Sequence, residues 1–218
     1  MDQVNLNYLT VSDSVYLWIK NAIINGDLKT GERLIQEELT KKLGVSRTPV
    51  RDAFKRLESE GLVVSRPHYG STVFQPSREM LRELYELRVL LEQYCVGRVC
   101  ETATDKELQS IKEINQKMAE ISPSAKEYMQ LDYQFHKRYC EVSGCTSLTM
   151  EILEGLWNKC SSFKSLYFSL DNRSAETISL HGTIADCLLK RDADGAKEAV
   201  AKHLTDVMNS ITDALDLS

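Results

Sequence analysis

Apolar residues recur at helical spacing from Thr10 to Ile24 (Val11, Val15, Leu17, Trp18, Ile19, Ala22, Ile23), and the run stops at Asn25-Gly26. Gly31 opens a turn into Gln36 to Leu43, a short second helix ended by Gly44. A third helix follows at once. Ser46 is placed to cap it, Pro49 falls within its first turn, where a missing N–H costs nothing, and Gly61 closes it. Val50, Ala53, Phe54 and Leu57 make its apolar stripe, and Arg47, Thr48, Arg51, Lys55 and Arg56 take the other faces. Leu62 to Arg66 and Ser71 to Phe74 then read as two short strands joined by Pro67-His68-Tyr69-Gly70. Helix, helix, helix, hairpin is the order of a winged helix-turn-helix.

After Pro76-Ser77 the texture changes to long helical patterns with no further strand signal. Met80 to Cys100 is one helix, and Thr104-Asp105-Lys106-Glu107 is a capping box that opens the next. Further helices are expected from about Ala125 to Val142, Leu148 to Leu170, Ala175 to Leu189 and Ala193 to Ala214, about six in all. The expected chain is therefore mainly α, with a winged helix-turn-helix domain at 1–76 and an all-α helical bundle at 77–218.

Charge sharpens the first half. The whole chain carries −5, yet up to Pro76 ten bases face nine acids, which leaves −6 for the remainder. Between Lys41 and Arg56 six bases face the single acid Asp52, a footprint suited to phosphates and base edges. With 42% hydrophobic and 27% charged residues, no apolar run long enough to span a bilayer and no secretion-type start at Met1-Asp2-Gln3, the expected location is the cytoplasm, with no membrane partner. Six cysteines without a C-x-x-C pair read as reduced core thiols.

The second half holds three of the four histidines, His136, His181 and His203, each within an expected helix. Asp132 stands one turn before His136, so both project from one helix face. If the last two helices meet that face, one carboxylate and three imidazoles converge, a set suited to zinc, nickel, manganese or iron. The rival reading is that each histidine packs separately. Cys140 continues the stripe and offers a sulfur to the same place, or merely packs. Arg88 lies in the largely apolar run Leu84 to Glu92, either paired with Glu92 one turn on or clamping a carboxylate ligand. An enzyme using an open metal position is a third reading, opposed by the DNA-type helix and by the lack of a separate general base at motif spacing.

Four N-terminal segments, Gly31-Glu32-Arg33-Leu34, Glu38-Leu39, Leu43-Gly44-Val45-Ser46-Arg47-Thr48-Pro49-Val50-Arg51-Asp52-Ala53 and Leu57-Glu58-Ser59-Glu60-Gly61-Leu62, resemble the reading head of the GntR family of transcription regulators. Glu86 to Glu92, Asp132 to His136, His181 and His203 follow in the order of its FadR-like branch, which carries an FCD effector domain. The resemblance implies a non-enzymatic, ligand-responsive regulator, a repressor, that binds a palindromic DNA operator as a homodimer. It implies that Ser46, Arg47, Thr48 and Arg51 contact bases and phosphates and that Tyr69 and Gly70 make the wing contact. It implies further that Asp132, His136, His181 and His203 hold a divalent metal, with Arg88 binding a small carboxylate effector beside it. One departure concerns the wing, which commonly has a glycine near its first turn position, whereas here only Gly70 remains.

Overall fold

The computed structural model describes residues 9–122, 126–161, 163–170 and 173–216. The chain divides into two compact units, Met1–Gln75 and Pro76–Ser218.

In the first unit, α1 (Val11–Ile24), α2 (Gln36–Leu43) and α3 (Arg47–Ser59) enclose a core that includes Ile19, Ile23, Val50, Leu57 and Leu62. Thr10 lies just outside α1, where it forms a capping box with Asp13. A three-stranded antiparallel sheet completes the unit, in the order β1 (Arg33–Leu34), β3 (Gly70–Val73), β2 (Val63–Arg66). The two-residue β1 pairs Arg33 with Thr72 and Leu34 with Ser71, and is too short to leave any periodic trace in the sequence. In register, Arg66 faces Gly70, so the wing turn is Pro67-His68-Tyr69. His68 adopts φ 66°, a left-handed conformation that histidine enters more readily than most residues.

The second unit is built on α4 (Arg78–Thr102), which packs along α10 (Ala193–Asp216), α6 (Lys126–Val142) and α7 (Ser147–Ser161). α5 (Asp105–Glu120) lies against α6 and α9 (Arg173–Leu189), and α9 against α10. Thr104 and Glu107 form the expected capping box at the start of α5. The expected helix from Leu148 to Leu170 is instead two, α7 and the short α8 (Lys164–Ser169), so the unit has seven helices among the described residues. No glycine or proline marks the break. Near it, Ser161 Oγ donates to the carbonyl of Asn158 at 2.7 Å and competes with the helix ladder, while Phe163 and Tyr167 are buried. No helix among the described residues is long and apolar enough to cross a membrane.

Candidate functional site

Two surfaces carry chemistry, one in each unit. On the first, Ser46, Arg47, Thr48 and Arg51 are exposed at the start of α3. Ser46 has the extended backbone of an N-cap, φ −74° and ψ 171°, but its side chain caps nothing. Pro49 occupies the third helical position and has no N–H to give, which removes one of the two donors such a cap normally uses. The hydroxyl is thus free for another partner. Gln36 Nε2 donates to the carbonyl of Arg47 at 2.8 Å and fixes the start of α3 against α2. Arg56 does not join the exposed basic face. It lies 3.2 Å from Asp13 and 3.4 Å from Glu60, with its guanidinium 3.7 Å from the Tyr16 ring centroid, because α1 packs across that side of α3. Tyr69 is 75% exposed at the wing tip beside Gly70. Between α3, β1 and the wing runs a cleft lined by Arg33, Arg51, Lys55, Ser65 and Ser71.

In the second unit, α6 supplies Asp132 and His136, α9 supplies His181, and α10 supplies His203, all four buried. One ligand atom from each lies within 4.8 Å of the others. His203 Nε2 is 3.1 Å from His181 Nε2 and 3.3 Å from His136 Nε2, and Asp132 Oδ1 is 3.8 Å from His181 Nε2. The donor set fits a divalent ion. Nitrogens about 2.1 Å from one metal stand roughly 3.0 Å apart at an octahedral angle and roughly 3.4 Å apart at a tetrahedral one. Hydrogen bonding alone satisfies the trio poorly, since a single N–H on His203 Nε2 cannot serve two facing nitrogens. Burial, then the neighbouring His203 and His136, push the His181 pKa well below its usual range, and burial with His136 lowers His203 to about 3. Both rings are therefore neutral at neutral pH, as metal ligation requires. The Nδ1 atoms of His181 and His203 are buried without a hydrogen-bond partner among the described residues.

His136 is aimed by Glu92. This α4 carboxylate, fully buried, lies 2.7 Å from His136 Nδ1 and also accepts from Trp157 Nε1 and Arg88 Nε at 2.9 Å and from the Tyr139 hydroxyl. Burial opposes its charge, but Arg88 and then His136 outweigh that and hold its pKa well below the usual range. An ionised acceptor at Nδ1 leaves the Nε2 lone pair of His136 facing the other imidazoles. Asp132 likewise is opposed by burial, yet Lys164, then His136 and His181, keep it ionised. Arg88, Tyr85, Asp132, His136, Lys164 and His203 line one cleft together with the apolar Phe168, Leu204, Val207 and Ile211. Arg88 pairs with Glu92, the first of its two sequence readings, and also borders the cleft. Cys140 is buried but is not part of this group.

Two family models match the chain, bacterial regulatory proteins of the gntR family over residues 11–73 and the FCD domain over residues 83–206. This chain belongs to the gntR family, in its FCD-domain branch. It is 27% identical over 205 residues to the transcriptional repressor RspR of Escherichia coli, covering 92% of this chain and 89% of that one. It is 28% identical over 191 residues to the transcriptional regulator YdhC of Bacillus subtilis, covering 86% and 85%. The solved structure of E. coli McbR/YncC superposes with a TM-score of 0.80 at 23% identity, covering 94% of this chain and 99% of that one.

In this GntR-family transcriptional regulator with an FCD effector domain, several residues that border the two candidate sites are not disclosed by the sequence. Glu92 was visible only as a partner for Arg88, because its contacts to His136, Tyr139 and Trp157 come from three other positions up to 65 residues away. Lys164 was hidden inside an apparently continuous helix. Arg33 stood in a family motif, but its place beside Gly70 on the basic cleft depends on the β1 to β3 pairing.

Proposed function

We propose that this regulator is a cytoplasmic repressor that binds a palindromic operator as a homodimer and senses a small carboxylate effector at a divalent metal. In this reading residues 1–76 are the DNA-reading domain and 77–218 the sensor. Asp132, His136, His181 and His203 hold the metal, one of zinc, nickel, manganese or iron, and it supplies a Lewis-acidic anchor for an anionic ligand. Arg88 offsets that ligand's remaining charge. The observation that carries the reading is the convergence of three Nε2 atoms and one carboxylate oxygen from three helices in a buried cluster that opens on a cleft.

Support for the DNA contacts comes from the exposed Ser46, Arg47, Thr48 and Arg51 at one helix end and Tyr69 and Gly70 at the wing. The uncapped Ser46 hydroxyl adds to it. Support for the dimer comes from an apolar stripe on α4, Met80, Leu87, Leu90 and Tyr94, continued on the adjacent α7 by Leu148 and Ile152, all exposed in the single chain. A two-fold dimer would set the operator's symmetry, and an effector that binds one arrangement of the reading heads better would shift DNA affinity. Two measurements test the reading. Arg47→Ala should weaken operator binding in a gel-shift titration and relax base preference, and unchanged affinity refutes the contact. His136→Ala with His181→Ala should abolish bound metal, and elemental analysis matching the wild type refutes the site.

A further inference from the structure

We propose that Lys164 is a positioning and specificity residue of the effector cleft, which makes this regulator selective for a dianionic effector over a monoanion of the same shape. The inference rests on the metal reading above. Its starting point is the division of labour on the Asp132 carboxylate: Oδ2 pairs with the Lys164 ammonium, whereas Oδ1 is the oxygen 3.8 Å from His181 Nε2. One oxygen is thus committed to the imidazole cluster and the other to the lysine, and the ammonium fixes the rotation of the carboxylate. The break between α7 and α8 allows this, since Lys164 is the first residue of α8.

Lys164 also lines the cleft, as Arg88 does. Its side chain is 12% exposed, so it is not sealed off while it holds Asp132. The charges around the cleft then decide what that molecule carries. Arg88 and Glu92 cancel as a buried pair, Asp132 and Lys164 cancel as a second, and ligating imidazoles are neutral. With a divalent ion in the Asp132 group the sum is two positive charges in a largely buried site. Net charge out of water is costly, so a ligand with two negative charges is preferred over one with a single charge. Arg88 and Lys164 give two separate cations for its two ends, and the apolar wall of Leu204, Val207 and Ile211 suits a short hydrocarbon spacer. Without Lys164 the sum falls to one, and the preference disappears.

The test uses the full-length protein loaded with zinc and titrated calorimetrically with malate and with 2-hydroxybutyrate, which carries a methyl group in place of the second carboxylate. Malate should bind at least about tenfold more tightly, the scale of one charge-assisted hydrogen bond. In Lys164→Gln the ratio should fall to near one, and Lys164→Arg should restore it. A wild-type ratio near one, no binding of either acid at millimolar concentration, or an unchanged ratio in a zinc-loaded K164Q each overturns the inference. Loss of zinc in K164Q that K164R restores supports the positioning role, and the wild-type ratio then decides the selectivity. Zinc content is measured beforehand. A wild type that takes up no zinc or other divalent ion refutes the metal reading itself, a result distinct from all of these.

Discussion

Replacing Glu92 by glutamine keeps the shape of the side chain and removes its charge, which isolates what that carboxylate does. Glu92 is fully buried and Arg88 is 2% exposed, so solvent screens their 2.9 Å pair little. Leaving a buried guanidinium without its counter-charge costs about 3–5 kcal/mol, and the amide group of glutamine would also turn a donor toward Trp157, Arg88 or His136. Urea unfolding of metal-free protein should show a loss of that size. A second reading comes from chelator competition, where misaiming His136 should weaken metal binding by roughly 10–100-fold. The acid limb supplies a third. Because Arg88, then His136, overcome burial and hold the folded-state pKa of Glu92 well below 4.5, the unfolded chain takes up this proton first. The stabilisation is complete above the unfolded value and is lost as pH falls below it toward the folded one, so the wild-type and E92Q curves should converge in acid. An unfolding free energy within about 1 kcal/mol of wild type at neutral pH, with metal affinity unchanged, would refute the account.

Three further outcomes are expected. Leu90→Glu places a charge in the middle of the exposed α4 stripe and should shift sedimentation toward the monomer mass; an unchanged dimer would exclude that face as the interface. His68→Val puts a β-branched residue at φ 66° and should cost about 1–2 kcal/mol in thermal unfolding, whereas His68→Gly should leave stability nearly unchanged; equal melts for the two would show that the turn is not held there. Metal-free protein should lose stability as pH falls below about 6.5, since the unfolded chain protonates His181 and His203 while burial keeps the folded rings neutral, down to about 3 for His203. His203→Gln should flatten that slope, and an identical pH profile would contradict the burial of a neutral imidazole.

The reading head was legible to within a residue or two because its signals are local. Gly44 ends α2 at φ 65°, Val50 to Leu57 repeat at helical spacing, and the wing is two short runs around one turn. The same locality misled where side chains answered distant partners. Arg56 reads as part of the basic face, but Asp13 and Tyr16, about 40 residues earlier, draw it onto α1. Ser46 stands at the expected cap and caps nothing, where Pro49 removes one of the two usual donors. The α7 to α8 break left no trace, since a serine bonding back to a carbonyl differs little in sequence from one that faces solvent.

By itself, the sequence determined the order of elements, the basic footprint of α3 and the one-face pairing of Asp132 with His136, because each depends on residues within a few positions of one another. It also named His181 and His203 as candidates. Only the tertiary structure decided that three helices bring the Nε2 atoms of these histidines to 3.1 and 3.3 Å. It alone decided that Glu92 aims His136 and that Lys164 divides the oxygens of Asp132. Periodicity says which face of a helix is buried; which neighbour meets that face, and at what height, is settled by packing across the bundle.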